Sequence, residues 1–217
     1  MLRFEDWGSV EYQLALERQL ERVQEVIDTQ IPGVLVFCTH PPVATLGRKT
    51  QPEDLSGWQG STIEVSRGGR VTYHGPSQLV IYPIVNLELS ASERKAKDID
   101  SYLRHLEQAI VETLKTYGVE AVGKSRQKKS EDENAADETG VWVGSQKIAS
   151  LGIAIKKWVS YHGAAINLDE DPMAFSGMRP CGFSKETMVS LEKLLGKKIN
   201  RQEFSIRLQE LVQKNLS

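Results

Sequence analysis

The sequence contains few cysteines and almost no excess of either charge. Two of its 217 residues are cysteine, and 27 basic residues against 29 acidic ones leave a formal net charge of −2. Two distant cysteines in a chain without a secretion signal predict free thiols and a cytoplasmic protein. The balanced charge disfavours a nucleic-acid-binding protein, which would carry a strongly basic face. No cysteine and histidine pair has zinc-ligand spacing, so no metal site is predicted.

Long apolar runs are missing as well. No window approaches the length of a membrane-spanning helix. The first residues, MLRFEDWGSVEYQ, include acidic side chains where a signal peptide would have a basic and then an apolar segment. We therefore expect no membrane association. A chain of this length is expected to form a single domain over residues 1–217 with a substantial core, and to be a monomer.

Apolar periodicity and helix-end signals together predict four helices. The spacing of the apolar residues indicates a helix from Ser9 to Thr29, capped by Ser9. A second helix is predicted at 98–117, where the apolar residues form one stripe. Two more are predicted near 184–195 and from Asn200 to the end of the chain, where Asn200 and Glu203 have capping-box spacing.

Strand-like runs fall into two blocks. The first begins with VLVFC at 34–38 and continues to residue 87, interrupted by glycine and proline breakers. The second, at 141–168, indicates three short strands with Gly144-Ser145 as a turn. Between the blocks, the segment 124–140 is polar and charged, which is typical of a surface loop. Two blocks of strands with helices between them predict an α+β fold around a mixed sheet with flanking helices.

Cys181 is the first candidate nucleophile. It lies between Pro180, which cannot continue a strand ladder, and Gly182, which allows unusual backbone angles, so a tight turn is predicted. A helix starting near Ser184 would direct its positive end towards the thiol and favour the thiolate. Local context alone leaves a structural role open. Cys38 ends an apolar strand and is predicted to be a buried hydrophobic residue.

A thiol nucleophile needs a nearby cation or base to lower its pKa from about 8.5. Lys147 lies inside a strand-like run; it can point to solvent, or lie inward beside the thiol as a cation and later a base. His74 and His162 each follow a tyrosine and precede a glycine, so each can line a pocket or be purely structural. The stretch RGGRVTYHG matches no phosphate-loop or dinucleotide fingerprint and predicts no cofactor. It can form a bulged hairpin or a loop that approaches a ligand.

Taken together, five blocks of the sequence resemble the lipoyl(octanoyl) transferases, also called octanoyl-[acyl carrier protein]:protein N-octanoyltransferases. The blocks are THPPVATLGR, RGGRVTYHGPSQLVIYPIVNL, TGVWVGSQKIASLGIAI, YHGAAINL and RPCG. They follow the order found in that family and cover most of the span from about 34 to 191. The resemblance implies the α+β fold shared by the catalytic domains of biotin and lipoate protein ligases.

The resemblance also implies a cysteine–lysine dyad. The family's acyl-accepting cysteine matches Cys181 in RPCG, and the lysine that tunes it matches Lys147 in QKIASLG. The implied substrate-binding residues form three runs. They are Arg67, Gly68, Gly69, Arg70, Val71, Thr72, Tyr73 and His74; Ser150, Leu151 and Gly152; and Gly163, Ala164 and Ala165.

The implied reaction is a two-step acyl transfer that needs no ATP and no cofactor. Cys181 takes the octanoyl group from octanoyl-acyl carrier protein as a thioester, and a lysine amine then accepts it. The implied acceptors are lipoyl domains of the 2-oxoacid dehydrogenase E2 subunits and the glycine cleavage H protein. Backbone N–H groups near Cys181 and Gly75 are candidate oxyanion donors. Candidate contacts for the acidic carrier are Arg67, Arg70, Lys156 and Lys157.

Two departures from the family pattern and three rival functions remain. Ser77 replaces a usual glycine with another small residue, and the acidic stretch 131–138 has no diagnostic counterpart. The nearest rival is an ATP-dependent lipoate–protein ligase on the same fold, which would need no cysteine. A transferase working between lipoyl domains would share the thioester. A non-catalytic module would bind the carrier without becoming acylated.

Overall fold

The computed structural model describes residues 1–91, 94–125 and 136–216. Its strands are Arg3–Ser9 (β1), Gly33–Thr39 (β2), Val43–Leu46 (β3), Ser61–Glu64 (β4), Thr72–His74 (β5), Gln78–Val85 (β6), Val122–Gly123 (β7), Gly140–Val143 (β8), Gln146–Lys156 (β9) and Val159–Asn167 (β10). Its α-helices are Tyr12–Thr29 (α1), Ile99–Lys115 (α2), Leu191–Leu195 (α3) and Arg201–Leu216 (α4). Short 3₁₀ turns lie at Pro52–Leu55, Pro180–Gly182 and Lys185–Thr187. Most of the predicted loop at 124–140, including most of the acidic stretch 131–138, lies outside the described residues.

Seven strands form the main sheet, in the order β1-β2-β6-β10-β9-β8-β7. The pairing of β1 with β2 is parallel, and the other neighbouring pairs are antiparallel. A smaller sheet has the order β4-β3-β5, with one parallel and one antiparallel pair. The main sheet is therefore mixed and carries helices, which confirms the predicted α+β fold.

Helices cover both faces of the main sheet. On one face, α2 and α4 pack against apolar residues of β2, β6, β9 and β10. On the other face, α1 packs against alternate residues of β2 and β6, and its first residue, Tyr12, joins Val43 of the smaller sheet. The central strands are buried on both sides, which explains the continuous apolar runs VLVFC and QLVIYPIV. Within the described ranges, no helix is both long and apolar enough to cross a membrane.

Two predicted helix boundaries are wrong. The first helix begins at Tyr12 rather than Ser9, because residues 3–9 pair with β2 as an edge strand. The helix predicted near 184–195 is confined to Leu191–Leu195, capped by the hydroxyl of Ser190. The preceding backbone is held extended by tertiary contacts: the N–H of Val189 donates to the carbonyl of Lys147 at 3.1 Å. The predicted helices at 98–117 and from Asn200 are confirmed to within a few residues.

Candidate active site

Cys181 occupies a strained turn between two parts of the fold. Its φ of 56° lies in the left-handed region, which costs a non-glycine residue about 1–2 kcal/mol. Two backbone hydrogen bonds hold it there. Its N–H donates to the carbonyl of Val71 at 2.8 Å, and its carbonyl accepts from the N–H of Asp137 at 2.8 Å. The predicted tight turn is confirmed.

Two hydroxyl groups face the thiol of Cys181. Its Sγ lies 3.7 Å from Oγ of Ser150 on β9 and 3.9 Å from Oγ1 of Thr72 on β5. The smaller sheet, the main sheet and the Pro180–Gly182 turn therefore meet at the sulfur. The other cysteine, Cys38, is buried in the core under α1, and burial raises its pKa. The predicted hydrophobic role of Cys38 is confirmed.

Lys147 points into the protein and is 1% exposed. Its Nζ donates to the carbonyl of Asp137 at 2.8 Å and lies over the rings of Trp142 and Phe183, at 5.6 and 5.7 Å from their centroids. The solvent-facing alternative is therefore wrong. Asp137 contacts both members of the expected dyad through its backbone, one with its N–H and the other with its carbonyl.

Two expected sources of charge stabilisation at Cys181 are missing from this geometry. Only a single 3₁₀ turn, Lys185–Thr187, follows Ser184, so the α-helix whose dipole was expected to favour the thiolate does not start there. The N–H groups of Cys181 and Gly182 donate to the carbonyls of Val71 and Arg179, at 2.8 and 2.9 Å. Because these donors are already engaged, the prediction that they form an oxyanion hole is wrong for this arrangement. Gly75 stays a prediction.

A narrow pocket of about 20 Å³ lies between the main sheet and the smaller sheet. This volume holds about one water molecule, so an acyl chain requires the lining to move apart. Many of the expected substrate-binding residues line it, while Gly68, Gly69, Arg70, Val71 and Tyr73 do not. The lining consists of Tyr12, Arg67, Thr72, His74, Val80, Tyr82, Ser150, Leu151, Gly152, His162, Gly163, Ala164 and Ala165.

The floor of the pocket depends on a glycine. A Cβ at Gly163 would collide with the carbonyl oxygen of Ile81 on the neighbouring strand. A glycine there lets β10 and β6 approach closely and places no side chain at this position of the pocket floor. The side chains of Ser150 and Ala165 occupy paired positions on β9 and β10, beside the thiol of Cys181.

The histidines of the pocket are neutral at neutral pH. Burial lowers the pKa of His162 to about 3 and the pKa of His74 to well below its ordinary value. His40, which lies beside His74 and bonds Tyr82 at 2.7 Å, has its pKa lowered by burial to about 4. Nδ1 of His162 lies 3.4 Å from the hydroxyl of Tyr12. His74 and His162 therefore line the pocket, as one alternative predicted, without adding charge to it.

The two arginines of RGGR are buried, so the prediction that they are surface contacts for the carrier is wrong. Arg67 is 6% exposed and Arg70 is 5% exposed. Arg70 binds the carboxylate of Asp54 with two hydrogen bonds, at 2.6 and 3.0 Å. Lys156 and Lys157, by contrast, are exposed at the end of the β9–β10 hairpin. Sequence reasoning missed Asp54 and Asp137, since each is one acidic residue in a polar segment.

Replacing Asp54 with alanine is expected to lower the free energy of unfolding by about 3 kcal/mol, because it removes the fully buried carboxylate that pairs with the Arg70 guanidinium through two hydrogen bonds. The matched control is Glu53→Ala, which removes an adjacent carboxylate that is 55% exposed and lies 3.4 Å from Arg70. It is expected to cost less than about 1 kcal/mol. Urea unfolding followed by tryptophan fluorescence measures both. Equal losses for the two variants would contradict the importance of the buried pair.

Comparison with known proteins identifies the family of this chain. A family model described as the lipoyl protein ligase A/B catalytic domain matches residues 9–213. An octanoyltransferase from Bdellovibrio bacteriovorus is 53% identical over 208 residues, which cover 95% of each chain. An octanoyltransferase from Caldicellulosiruptor bescii is 40% identical over 211 residues, covering 93% of this chain and 86% of the relative.

Solved structures share the fold at low sequence identity. A putative lipoate protein ligase from T. acidophilum superimposes with a TM-score of 0.69 at 18% identity, covering 99% of this chain and 85% of that one. A biotin protein ligase from Aquifex aeolicus superimposes with a TM-score of 0.56 at 12% identity, covering 100% of this chain and 71% of that one. The architecture is thus that of the lipoate and biotin protein ligases. The chain belongs to the lipoyl protein ligase A/B catalytic domain family, which confirms the resemblance predicted from the motifs.

Proposed function

We propose that this chain transfers an octanoyl group from octanoyl-acyl carrier protein to a lysine amine of lipoyl domains, through a thioester on Cys181. The octanoyltransferase relatives support octanoyl transfer in protein lipoylation as the activity. The observation that carries the chemical route is the position of Cys181. Its thiol lies on a strained turn against Ser150 and Thr72, both of which line the narrow pocket.

In the first step, the thiolate of Cys181 attacks the carbonyl carbon of the octanoyl thioester. A new bond forms between Sγ and this carbon, and the bond to the carrier sulfur breaks. The carrier thiol leaves with the proton that Cys181 gave up. One thioester replaces another, so the step is nearly balanced in free energy and needs no ATP.

In the second step, the amine of the acceptor lysine attacks the octanoyl-enzyme. The bond between carbon and Sγ breaks, an amide forms, and a proton from the amine returns to the sulfur. Conversion of a thioester into an amide is downhill, so this step drives the reaction. One site serves both transfers at different times, as covalent catalysis requires.

Lys147 is the group that moves the proton in both steps. An ammonium has three N–H donors, so Nζ can keep its 2.8 Å bond to the carbonyl of Asp137 and direct another donor at the reacting atoms. As an ammonium it favours the thiolate; as a neutral amine it accepts the proton of the incoming lysine.

The partners follow from the two acyl transfers. Octanoyl-acyl carrier protein is the donor, and the acceptors are lipoyl domains of 2-oxoacid dehydrogenase E2 subunits and the glycine cleavage H protein. Exposed cations at Arg48, Arg179, Lys156 and Lys157 can meet an acidic carrier surface. We propose that the enzyme works as a cytoplasmic monomer consisting of one domain.

Intact-protein mass spectrometry tests the route after mixing the enzyme with octanoyl-acyl carrier protein in the absence of ATP and acceptor. Wild type is expected to gain one octanoyl group that hydroxylamine removes. Cys38→Ala, the matched cysteine control, gains the same adduct, whereas Cys181→Ser gains none. An adduct that persists on Cys181→Ser would remove Cys181 from the route. Transfer that requires ATP would favour the ligase alternative, and carrier binding without acylation would favour the non-catalytic module.

A further inference from the structure

The two buried arginines of the RGGR loop differ in how their charges are compensated. Arg70 faces the carboxylate of Asp54, which is fully buried and forms a two-point pair with it. Arg67 forms no ion pair with a carboxylate among the residues that the structure describes. Arg67 as a whole is nevertheless only 6% exposed. Within the described parts of the chain, the pocket therefore contains a buried cation that no ion pair neutralises.

Neutral oxygens satisfy the guanidinium of Arg67. Nη2 donates to the carbonyl and the hydroxyl of Thr45, both at 2.8 Å. Nη1 donates to the carbonyls of Arg70 and Gly68, at 2.8 and 3.0 Å. These bonds fix the position of the group but leave its charge intact. An uncompensated buried charge is costly to maintain, so its presence needs an explanation other than stability.

Strand β9 brings this cation close to the thiol. A Cβ at Gly152 would lie 3.0 Å from Cδ of Arg67, so the glycine admits the arginine side chain against the strand. Ser150, two residues earlier, lies on the same face and carries the hydroxyl that is 3.7 Å from Sγ of Cys181. Residues two apart on a strand are separated by about 7 Å. The side chain of Arg67 and the thiol of Cys181 thus lie against neighbouring positions on one face of β9, Gly152 and Ser150.

The other titratable groups around Arg67 carry little charge of their own. Burial raises the pKa of Tyr12 to about 12 and the pKa of Tyr82 well above its ordinary value, so both are neutral. His74 and His162 are neutral because burial lowers their pKa values. Burial also lowers the pKa of Arg67 itself, whereas negative charge on Tyr12, Cys181, Asp137 or Tyr82 raises it.

Asp137 is the carboxylate nearest to this arrangement. A Cβ at Gly69 would lie 2.6 Å from Oδ2 of Asp137 and 3.7 Å from Nη1 of Arg67, yet the two side chains form no ion pair. The carboxylate instead accepts a hydrogen bond from the N–H of Thr139 at 3.0 Å. The Nζ of Lys147 bonds the backbone carbonyl of Asp137, not its carboxylate. Cys181 is therefore the nucleophilic group that this uncompensated cation can serve.

We propose, on the basis of the thioester route above, that Arg67 is the fixed cation of the site and stabilises the Cys181 thiolate and the oxyanion formed on the acyl carbonyl. Lys147 and Arg67 then divide two tasks. Lys147 exchanges protons, which requires a charge that changes during the reaction. Arg67 keeps its charge throughout, because a guanidinium stays protonated even when it is buried. A constant positive field suits an anion that forms and disappears twice in each cycle.

The pH dependence of Cys181 alkylation by iodoacetamide tests this role without any acyl donor. Arg67→Gln keeps a hydrogen-bond donor but removes the charge. It is expected to shift the midpoint of the labelling curve upward by about one pH unit. Below the midpoint, this shift corresponds to about a tenfold loss of thiolate. Arg67→Lys keeps a charge and is expected to retain most of the wild-type behaviour. Lys115→Met removes an exposed cation far from the site and should leave the midpoint unchanged.

A purely structural role for Arg67 would change stability without moving the labelling midpoint. Circular dichroism and thermal unfolding identify folded variants, and Arg67→Met provides a second neutral substitution if the glutamine variant does not fold. A folded neutral variant with the wild-type midpoint would overturn the proposal. So would an equal upward shift in Arg67→Lys, since that would trace the effect to geometry rather than charge. Because labelling uses no octanoyl donor, failure of the acylation experiment remains distinguishable from failure of this one.

Discussion

Exchanging Cys181 for serine is expected to lower the turnover of octanoyl transfer by about 10⁴-fold. A serine hydroxyl becomes a nucleophile only when a base contacts it. The sulfur position is surrounded by the hydroxyls of Ser150 and Thr72, neither of which is a base. As the ammonium that donates to the carbonyl of Asp137, Lys147 favours a thiolate but cannot accept the proton of a serine hydroxyl. The site suits a side chain that loses its proton readily, as a thiol does and a serine hydroxyl does not.

Turnover with octanoyl-acyl carrier protein and a lipoyl domain measures this loss. Cys38→Ala serves as the control, since Cys38 lies in the core beneath α1 and does not line the pocket. It is expected to keep its turnover. A serine variant at position 181 that transfers octanoyl groups at the wild-type rate would show that no thioester forms on this residue. The ATP-dependent ligase would then become the better explanation.

Replacing Lys147 with methionine is expected to lower turnover by about 10³-fold and leave the fold intact. The variant loses the group that takes the proton from the incoming amine. Methionine has a similar volume and fills the space between Trp142 and Phe183 without introducing a charge. Burying an apolar side chain in place of an ammonium is not expected to destabilise the protein, so the thermal midpoint should stay close to that of wild type.

Single-turnover measurements separate the contributions of Lys147 to the two steps. Formation of the octanoyl-enzyme is expected to slow because the thiolate loses a nearby cation, and transfer to the amine to slow further because the base is missing. Lys147→Arg retains charge but cannot accept a proton, so it should rescue the first step more than the second. Normal turnover in a folded methionine variant would exclude Lys147 from the mechanism.

Sequence reasoning succeeded where local pattern determines structure. The second helix follows from apolar spacing, the fourth from the capping-box spacing of Asn200 and Glu203, and the three strands of 141–168 from short apolar runs separated by turns. It failed where a distant partner decides the conformation. Residues 3–9 are mostly polar, and pairing with β2 makes them a strand. Residues 184–190 fall in a predicted helix, yet they contain only the 3₁₀ turn Lys185–Thr187, and Val189 is bonded to the carbonyl of Lys147.

The same distinction between local pattern and distant partners applies to the candidate site. Short motifs predicted Cys181 and Lys147 as candidate site residues because their residue types and neighbours are distinctive, and the structure places both in contact with the backbone of Asp137. The sequence could not show that Arg67 and Arg70 are buried, since charged residues are usually exposed. Nor could it pair Arg70 with Asp54, which lies in a different loop and acts only through the folded geometry. Asp137 escaped attention because its side chain is not what contacts the dyad.

The connection through Asp137 has a further consequence for how the enzyme tolerates mutation. Its N–H holds the carbonyl of Cys181 and its carbonyl holds Lys147, so both bonds use atoms common to nearly every amino acid. A change of side chain at position 137 leaves these atoms in place, with proline as the exception because it lacks an N–H. A change in the length of the segment between Asp137 and β8 would shift both atoms together. The spacing of Cys181 and Lys147 is thus protected against substitution at position 137 and vulnerable to insertion or deletion next to it.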